Sequence, residues 1–399
     1  MKRNIHGLVT VALALVLGVG CGEEPVSQNG ETEPIGENEE AVSDCLVDAT
    51  KELFITDLSV IQDARASGLG NWSFGHVVQE MAKGHDEQAF IKGFMETWLQ
   101  DQTVDGLTIK ARTQMEDLVL APWRAKSADG KTYDLDKAPM SLLAIVYRLD
   151  LRRQKNVGEG VGEGRMIYNV HGPDGRPLQF TMIFEYKLPA NRGQSAESWA
   201  REFHALGALP FGPDYNARLE ALTEKFVSAK AWQGMPPGSV LNQLRTNEIA
   251  LTLGGPEPLW EMRQFEINPQ GKLLPASAGL TPDLVHDNTS LLADYVRENE
   301  RKILAGTHKV GPRFKGQPFN GGSARVPSRD FIWEVPGATE EVRKAFSTAT
   351  CNGCHAGETI TTFLHVGPTR NSPETRLSTF VLEDQLPFRV KEMKSLVCD

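Results

Sequence analysis

The residues with the most specific chemistry lie late in the chain. Cys351-Asn352-Gly353-Cys354-His355 has the Cys-x-x-Cys-His spacing of c-type haem attachment. Two thiols so spaced reach the two vinyl groups of one porphyrin, and the next histidine can turn its imidazole to the iron. The pattern predicts haem c bound through Cys351 and Cys354, with His355 as proximal iron ligand and His365 as candidate distal ligand. The ten-residue step from His355 to His365, at about 3.3 Å per residue, is long enough to pass a porphyrin edge. A five-coordinate iron is equally allowed. Electron transfer or small-ligand sensing would then be the role. Against haem stand the 44 residues that follow His355, few for a cytochrome core, and the lack of a methionine in a distal loop.

Three other chemistries suit the same residues. The two cysteines could close a small disulfide or pair elsewhere, leaving His355 an ordinary residue. Zinc could take Cys351, Cys354, His355 and His365, though the adjacent Cys354 and His355 are awkward on one tetrahedral ion. A redox dithiol normally opens a helix after a strand, whereas here a helical stretch precedes the cysteines. The competing class of function is a non-catalytic surface or binding lipoprotein stabilised by disulfides.

Other clusters are weaker. The glycines from Gly158 to Gly164 alternate with Glu159 and Glu163, whose charges would repel phosphate, so a flexible turn is expected there. Arg245, Asn247 and Glu248 stand near Glu261 and Arg263 and are expected to satisfy one another at a packed junction. His76, His85 and His204 lack metal-ligand spacing. No Gly-x-Ser-x-Gly or His-Glu-x-x-His motif supports hydrolase chemistry.

The start of the chain implies export. Lys2 and Arg3 precede an apolar run from Leu8 to Val19, too short to span a bilayer with margin, and Gly18 and Gly20 lead into Cys21. Residues 1–20 are expected to be a lipoprotein signal peptide, with Cys21 the site of lipid attachment; ordinary cleavage near Gly20 is the alternative. Gly22 stands where an aspartate would favour inner-membrane retention, which points to the outer membrane. Residues 21–44 form an expected acidic tether: residues 22–44 hold eight carboxylates and no Lys or Arg, too little apolar surface to offset ordering entropy. Loss of Lys2 and Arg3 moves the net charge from −10 to −12, and with no basic patch nucleic acid is excluded as a partner. Of the remaining cysteines, Cys45 opens the body and Cys398 nearly closes the chain, so a terminal disulfide between them is the candidate pairing, with cross-pairing to Cys351 or Cys354 as the alternative.

The elements that must position these residues read as α+β. Periodicity predicts helices within 44–120, including Ile109 to Leu120, and at 197–206, 215–230 and 239–249. A longer helix is expected at 283–305, with Thr281 as a possible cap, and a last one at 339–348 before Cys351. A strand is expected at 142–151, then a hairpin of 165–170 and 180–188 about the turn His171 to Gly175, and a second hairpin of 260–267 with 272–274. Helices around a small antiparallel sheet built from hairpins follow, with 45–310 as the body and 311–399 as an irregular C-terminal segment packed on it.

The chain resembles an uncharacterised family of exported Gram-negative bacterial proteins, many of them lipoproteins. The stretches that carry the likeness are APMSLLAIVYRLDLR (138–152), GEGRMIYNV (162–170), FTMIFEYKLP (180–189), LNQLRTNEIAL (241–251), WEMRQFEI (260–267) and FSTATCNGCHAGETITTFLHV (346–366). The family ending usually has Gly where Ala356 stands. The resemblance implies one integral architecture that includes the cysteine motif, and no activity.

Overall fold

The computed structural model describes residues 45–153, 161–190, 193–232, 240–249 and 259–398. The expected signal, Cys21 and the tether lie outside them, as does part of the glycine run. The class is α+β. Nine strands among the described residues form one antiparallel sheet. Its central ladder is β1 (Phe54–Ile55), β2 (Met140–Arg148), β3 (Glu163–His171), β4 (Pro177–Lys187) and β5 (Leu241–Ile249), followed by β6 (Trp260–Met262). Next to β6 in the chain, β7 (Gln264–Ile267) also pairs with β5, and β8 (Leu273–Ala276) pairs with β7. The far edge is β9 (Ala324–Val326).

Alternation along the strands gives the sheet two unlike faces. The inner face presents Ile145, Tyr147, Met166, Tyr168, Phe180, Met182, Phe184 and Tyr186 to the main apolar core. That core is completed by α1 (Phe74–Ala82), α2 (Glu87–Met95), α3 (Ala196–His204) and α4 (Pro213–Val227). On β3, a Cβ at Gly164 would stand 2.6 Å from the Phe226 ring, so only glycine lets that ring of α4 lie against the strand. The outer face presents Val146, Ile167 and Ile183 and is covered by chain from the C-terminal segment: Val366, Val381 and Leu386. Covering elements there are β10 (Val366–Pro368), its partner β11 (Thr375–Leu377) and α8 (Leu386–Val397).

A second apolar core joins Trp260 and Met262 to α5 (Ser290–Leu304), α6 (Glu340–Ala349) and the four-residue α7 (Cys351–Cys354). The chain beyond 310 therefore shares its core with residues 260–303.

Four expected elements differ, each for a physical reason. Residues 241–249 are a central strand, not a helix. Asn242 is an extra residue against β4, where Glu185 pairs with Gln243 but Tyr186 with Leu241. This bulge puts Leu241 and Leu244 on one face at a spacing of three, which mimics a helical period. Ile109 closes a hairpin of 102–104 with 107–109 about Asp105-Gly106, both at positive φ (50° and 84°), and helical turns begin only at Glu116. The helix expected from 283 starts at Ser290: Asp283 caps a separate short turn, Asn288 takes φ 54°, and Thr289 is the cap. The helix at 340–349 is not the last. In α8 the buried positions include Arg389 and Glu392, which hides its apolar stripe.

Cys45 and Cys398 are joined by a disulfide with Cα atoms 5.6 Å apart across 353 residues of sequence. Replacing both with alanine is expected to lower unfolding free energy by about 3–5 kcal/mol in denaturant titration. A second expectation concerns His308. It is 2% exposed, and among the described residues neither ring nitrogen has a hydrogen-bond partner. Burial pushes its imidazole down to about 4. The unfolded chain, with His near 6.5, binds the proton first, so this contribution to stability is complete above that pH and lost as pH falls toward 4. Stability should drop by roughly 2 kcal/mol from pH 7 to pH 5 on this account. His308→Phe should remove that part of the slope in melts at the two pH values.

Candidate functional site

The Cys-x-x-Cys-His run forms α7 because Thr350, at extended φ and ψ, caps it: Gly353 N–H donates to Thr350 Oγ1 at 3.1 Å. A Cβ at Gly353 would lie 2.1 Å from the Ser347 carbonyl oxygen, so glycine is needed for the turn to sit against α6. Trp333 Nε1 donates to Thr350 Oγ1 and Asn352 Oδ1, each at 2.9 Å, and Cys351 N–H donates to Thr281 Oγ1 at 2.9 Å. Asn352 in turn donates to the Arg325 carbonyl at 3.2 Å. The turn is thus fixed on three sides and fully buried.

Its reactive side chains meet different surroundings. Cys351 belongs to the second apolar core and is disulfide-bonded, with Sγ 3.8 Å from the Gly279 carbonyl oxygen. Cys354 Sγ lies 3.4 Å from His365 Nε2, and the two cysteines are not bonded to each other. His355 stacks on Trp260 with ring centroids 4.7 Å apart and planes at 17°. Its Nδ1 donates to the Phe363 carbonyl at 2.6 Å, which fixes the proton there and turns Nε2 outward as an acceptor or ligand. Phe363 and Ile360 hold positive φ (67° and 53°), a strained conformation for these side chains that bends the loop and aims this carbonyl. The loop also brings His365 close: its ring centroid is 4.4 Å from that of His355. His365 Nδ1 is 2.9 Å from the Ser378 hydroxyl. Burial, reinforced by the positive charge of Arg389, pushes the His365 imidazole down to about 3, so it is neutral.

His355 and His365 line a cleft between this loop and the outer face of the sheet. The cleft contains about 530 Å³ of empty space counted out to its open mouth, of which about 50 Å³ admits the centres of water molecules. Its other walls are Arg165, Ile167, Ile183, Arg245 and Asn247 from β3 to β5, Phe54, Met262, Val366 and Val381, and Arg389 from α8.

The sheet beneath is densely charged. Glu185, wholly buried, accepts from Arg245 Nε at 2.9 Å and from Gln243 at 2.6 Å, and lies 3.6 Å from Arg165. Burial would raise its carboxyl, but the two guanidinium charges and these bonds outweigh burial and hold it low. Glu163 accepts from Arg165 Nε at 2.6 Å, and burial holds its carboxyl above the usual range. Asp150, paired with Arg148 and 3.9 Å from Arg389, is brought down to about 2 by those charges against the opposing effect of burial.

Haem needs more room than these residues leave. A porphyrin held by both thiols would need the space now taken by Trp260 and His365, and the adjoining cleft has room for only about three to five waters. Two imidazoles on opposite sides of one ion, each with a metal–nitrogen bond of about 2 Å, cannot have ring centroids as close as those of His355 and His365. In this arrangement the site does not fit a haem with His365 as distal ligand. Among the described residues no group of three or more His, Cys, Asp or Glu side chains is disposed to hold a metal ion.

Of the sequence-selected residues, the fold unites Cys354, His355, His365, Arg245 and Asn247. Glu248, Glu261 and Arg263 form a separate buried junction: Arg263 is 3.4 Å from Glu248 and 3.2 Å from Glu261, and Arg112 joins at 2.8 Å. His76 and His204 pair with Glu224 and Glu52. The cleft residues Arg165, Ile183 and Arg389 were not anticipated. The available signal was the period-two spacing of Glu163 with Arg165 and of Gln243, Arg245 and Asn247, which resembles a solvated strand face. Compared with known proteins, the chain matches no family model, no curated protein and no solved structure. Among the described residues no helix is long and apolar enough to cross a membrane.

Glu185→Gln should be severely destabilising, because Arg245 would lose the carboxylate that its Nε meets at 2.9 Å and Arg165 one of its two buried counter-charges. A loss of about 3–5 kcal/mol in urea unfolding is expected, larger than for removal of an exposed acid such as Glu197.

Proposed function

We propose that the chain is a lipid-anchored envelope protein whose body binds a small ligand, without catalysing a reaction, in the cleft between the outer sheet face and the Cys-His loop. The observation that carries this reading is the cleft itself. It gathers polar side chains from β3, β5, α8 and the loop that follows α7 around a space open to solvent. Three arginines and two histidines converge there. The disulfide from Cys45 to Cys398 ties the start of the described body to α8, which carries one wall of the cleft, as suits an oxidising compartment. Anchoring through Cys21 keeps its basis in the leader sequence.

A second reading, a mono-haem c protein for electron transfer or sensing, is favoured by one observation. His355 donates Nδ1–H to a backbone carbonyl, the arrangement that orients a metal-bound imidazole. That reading requires the loop from 355 to 365 to open. Both readings are tested on protein exported in a Gram-negative host with haem-maturation machinery. The expected product incorporates radiolabelled palmitate only when Cys21 is intact and is colourless. A Soret band that persists through denaturing electrophoresis would replace the binding reading with the haem reading. Absence of label would remove the anchor.

A further inference from the structure

One row of the outer sheet face is polar without being charged. Asn169 of β3 pairs with Thr181 of β4, and Thr181 with Asn247 of β5, so the three side chains stand side by side. None is more than 3% exposed. Asn169 Nδ2 donates to the Val170 carbonyl at 2.9 Å, and Asn247 Nδ2 donates to Thr181 Oγ1 at 3.1 Å. The Oδ1 atoms of both amides have no hydrogen-bond partner among the described residues. A buried amide oxygen left without a donor costs free energy, so the missing donor is supplied from outside the chain, by water or by a ligand. Asn247 is the member of this row that lines the cleft.

The surroundings of that amide define what can meet it. The next row of the same face holds Ile167 and Ile183, paired with each other, and Val366 and Val381 of the covering segment line the same space. A ligand group bonded to Asn247 thus has branched apolar side chains beside it, the usual make-up of a small-molecule site. The arginines of the lining are engaged within the protein: Arg165 meets Glu163 and Glu185, Arg245 meets Glu185, and Arg389 lies 3.9 Å from Asp150. The ligand is therefore not required to bring a charge, and a charged one would lose its hydration in a space of a few waters. The Thr181 hydroxyl can donate as well as accept, so either end of the Asn247 amide can face the cleft. A hydroxyl or a primary amide both gives and takes a hydrogen bond, and so serves either end.

Resting on the binding reading above, we propose that the cleft takes a small neutral alcohol or primary amide, its polar group bonded to Asn247 and its apolar part against Ile167, Ile183, Val366 and Val381. Room for a few waters sets the ligand at about three to five heavy atoms.

The test follows the side-chain amide signal of Asn247 by nuclear magnetic resonance in the detergent-solubilised full-length mature protein, the signal being assigned by its loss in Asn247→Leu. The probes form two pairs of matched shape, acetamide with acetate and 2-propanol with isopropylammonium, titrated at constant ionic strength. The signal is expected to shift saturably with acetamide, 2-propanol or both, and the tighter of the two identifies the ligand as amide or alcohol. The charged member of each pair should bind at least tenfold more weakly. Saturation-transfer measurements on Asn247→Leu should show the neutral probes weakened at least tenfold. Ile183→Phe, which fills the cleft without altering charge, should abolish their binding while circular dichroism is unchanged. If Ile183→Phe does not fold, mutual competition of the two neutral probes at Asn247 in the unaltered protein carries the same comparison. A charged probe that binds as tightly as its neutral counterpart would overturn the inference and leave the binding reading standing. Neutral-probe binding that Asn247→Leu does not weaken would overturn it too, as would the absence of a saturable shift with all four probes. Saturable binding equally strong in Ile183→Phe would overturn both, because its site would not be the cleft.

Discussion

A charge removed from water must be met by an opposite charge or by several hydrogen bonds, because the cost of leaving it unmatched exceeds what any single contact returns. The outer face of the sheet depends on this constraint. β3, β4 and β5 place Glu163, Arg165, Glu185 and Arg245 side by side beneath the C-terminal segment, and each is mostly or wholly buried. The partners come from adjacent strands, so strand register and charge matching specify one another. Slipping β5 by one residue against β4 would exchange Arg245 for a neighbour on the opposite face and leave Glu185 without its closest counter-charge. The bulge at Asn242 is part of the same design, since it returns Leu241 to the inner core after the charged positions have been set.

The C-terminal segment is what turns this face from a surface into a site. It passes from the buried turn at Cys351 through the loop strained at Ile360 and Phe363, then lays β10 and α8 across the strands. The Thr375 hydroxyl donates to the Leu143 carbonyl of β2 at 2.7 Å, and the Cys45–Cys398 bond fixes the far end. The contact is apolar at Val366, Val381 and Leu386, whereas Arg389 and the two histidines face the charged strands. Where the apolar contact stops, the cleft begins. The glycine at 353 and the Thr350 cap are needed because the turn bearing His355 has polypeptide on every side.

Much of this was legible in the residues, and the failures have identifiable causes. The hairpin around His171 to Gly175 was readable because alternation and turn chemistry agree there, and the terminal cysteines announced their pairing by position. The strand at 241–249 was hidden by a bulge that produces a three-residue apolar spacing, and the hairpin at 102–109 by giving less weight to Asp105-Gly106 than to neighbouring helical periodicity. The spacing from Cys351 to His355 drew attention to a turn that the fold buries and fixes on three sides. It could not disclose that Trp260 and His365, distant or unaligned in sequence, would occupy the volume beside the imidazole. Arg165 on β3 was invisible for another reason, although Arg245 stood out. Polar residues at every second position read as a wet strand face, and only the presence of a covering segment makes them interior.

The central claim is that Arg165, Arg245 and Arg389 converge on one ligand-accessible space. Nuclear magnetic resonance of the arginine side-chain Nε–H groups tests it most directly, with each signal assigned by single Arg→Lys replacement and followed as small organic ligands of differing charge are added one at a time. The account predicts that these three signals shift together and saturate at one concentration, while exposed Arg176 drifts without saturating. Three independent responses, or saturation at Arg176 with none at the cleft, would contradict it.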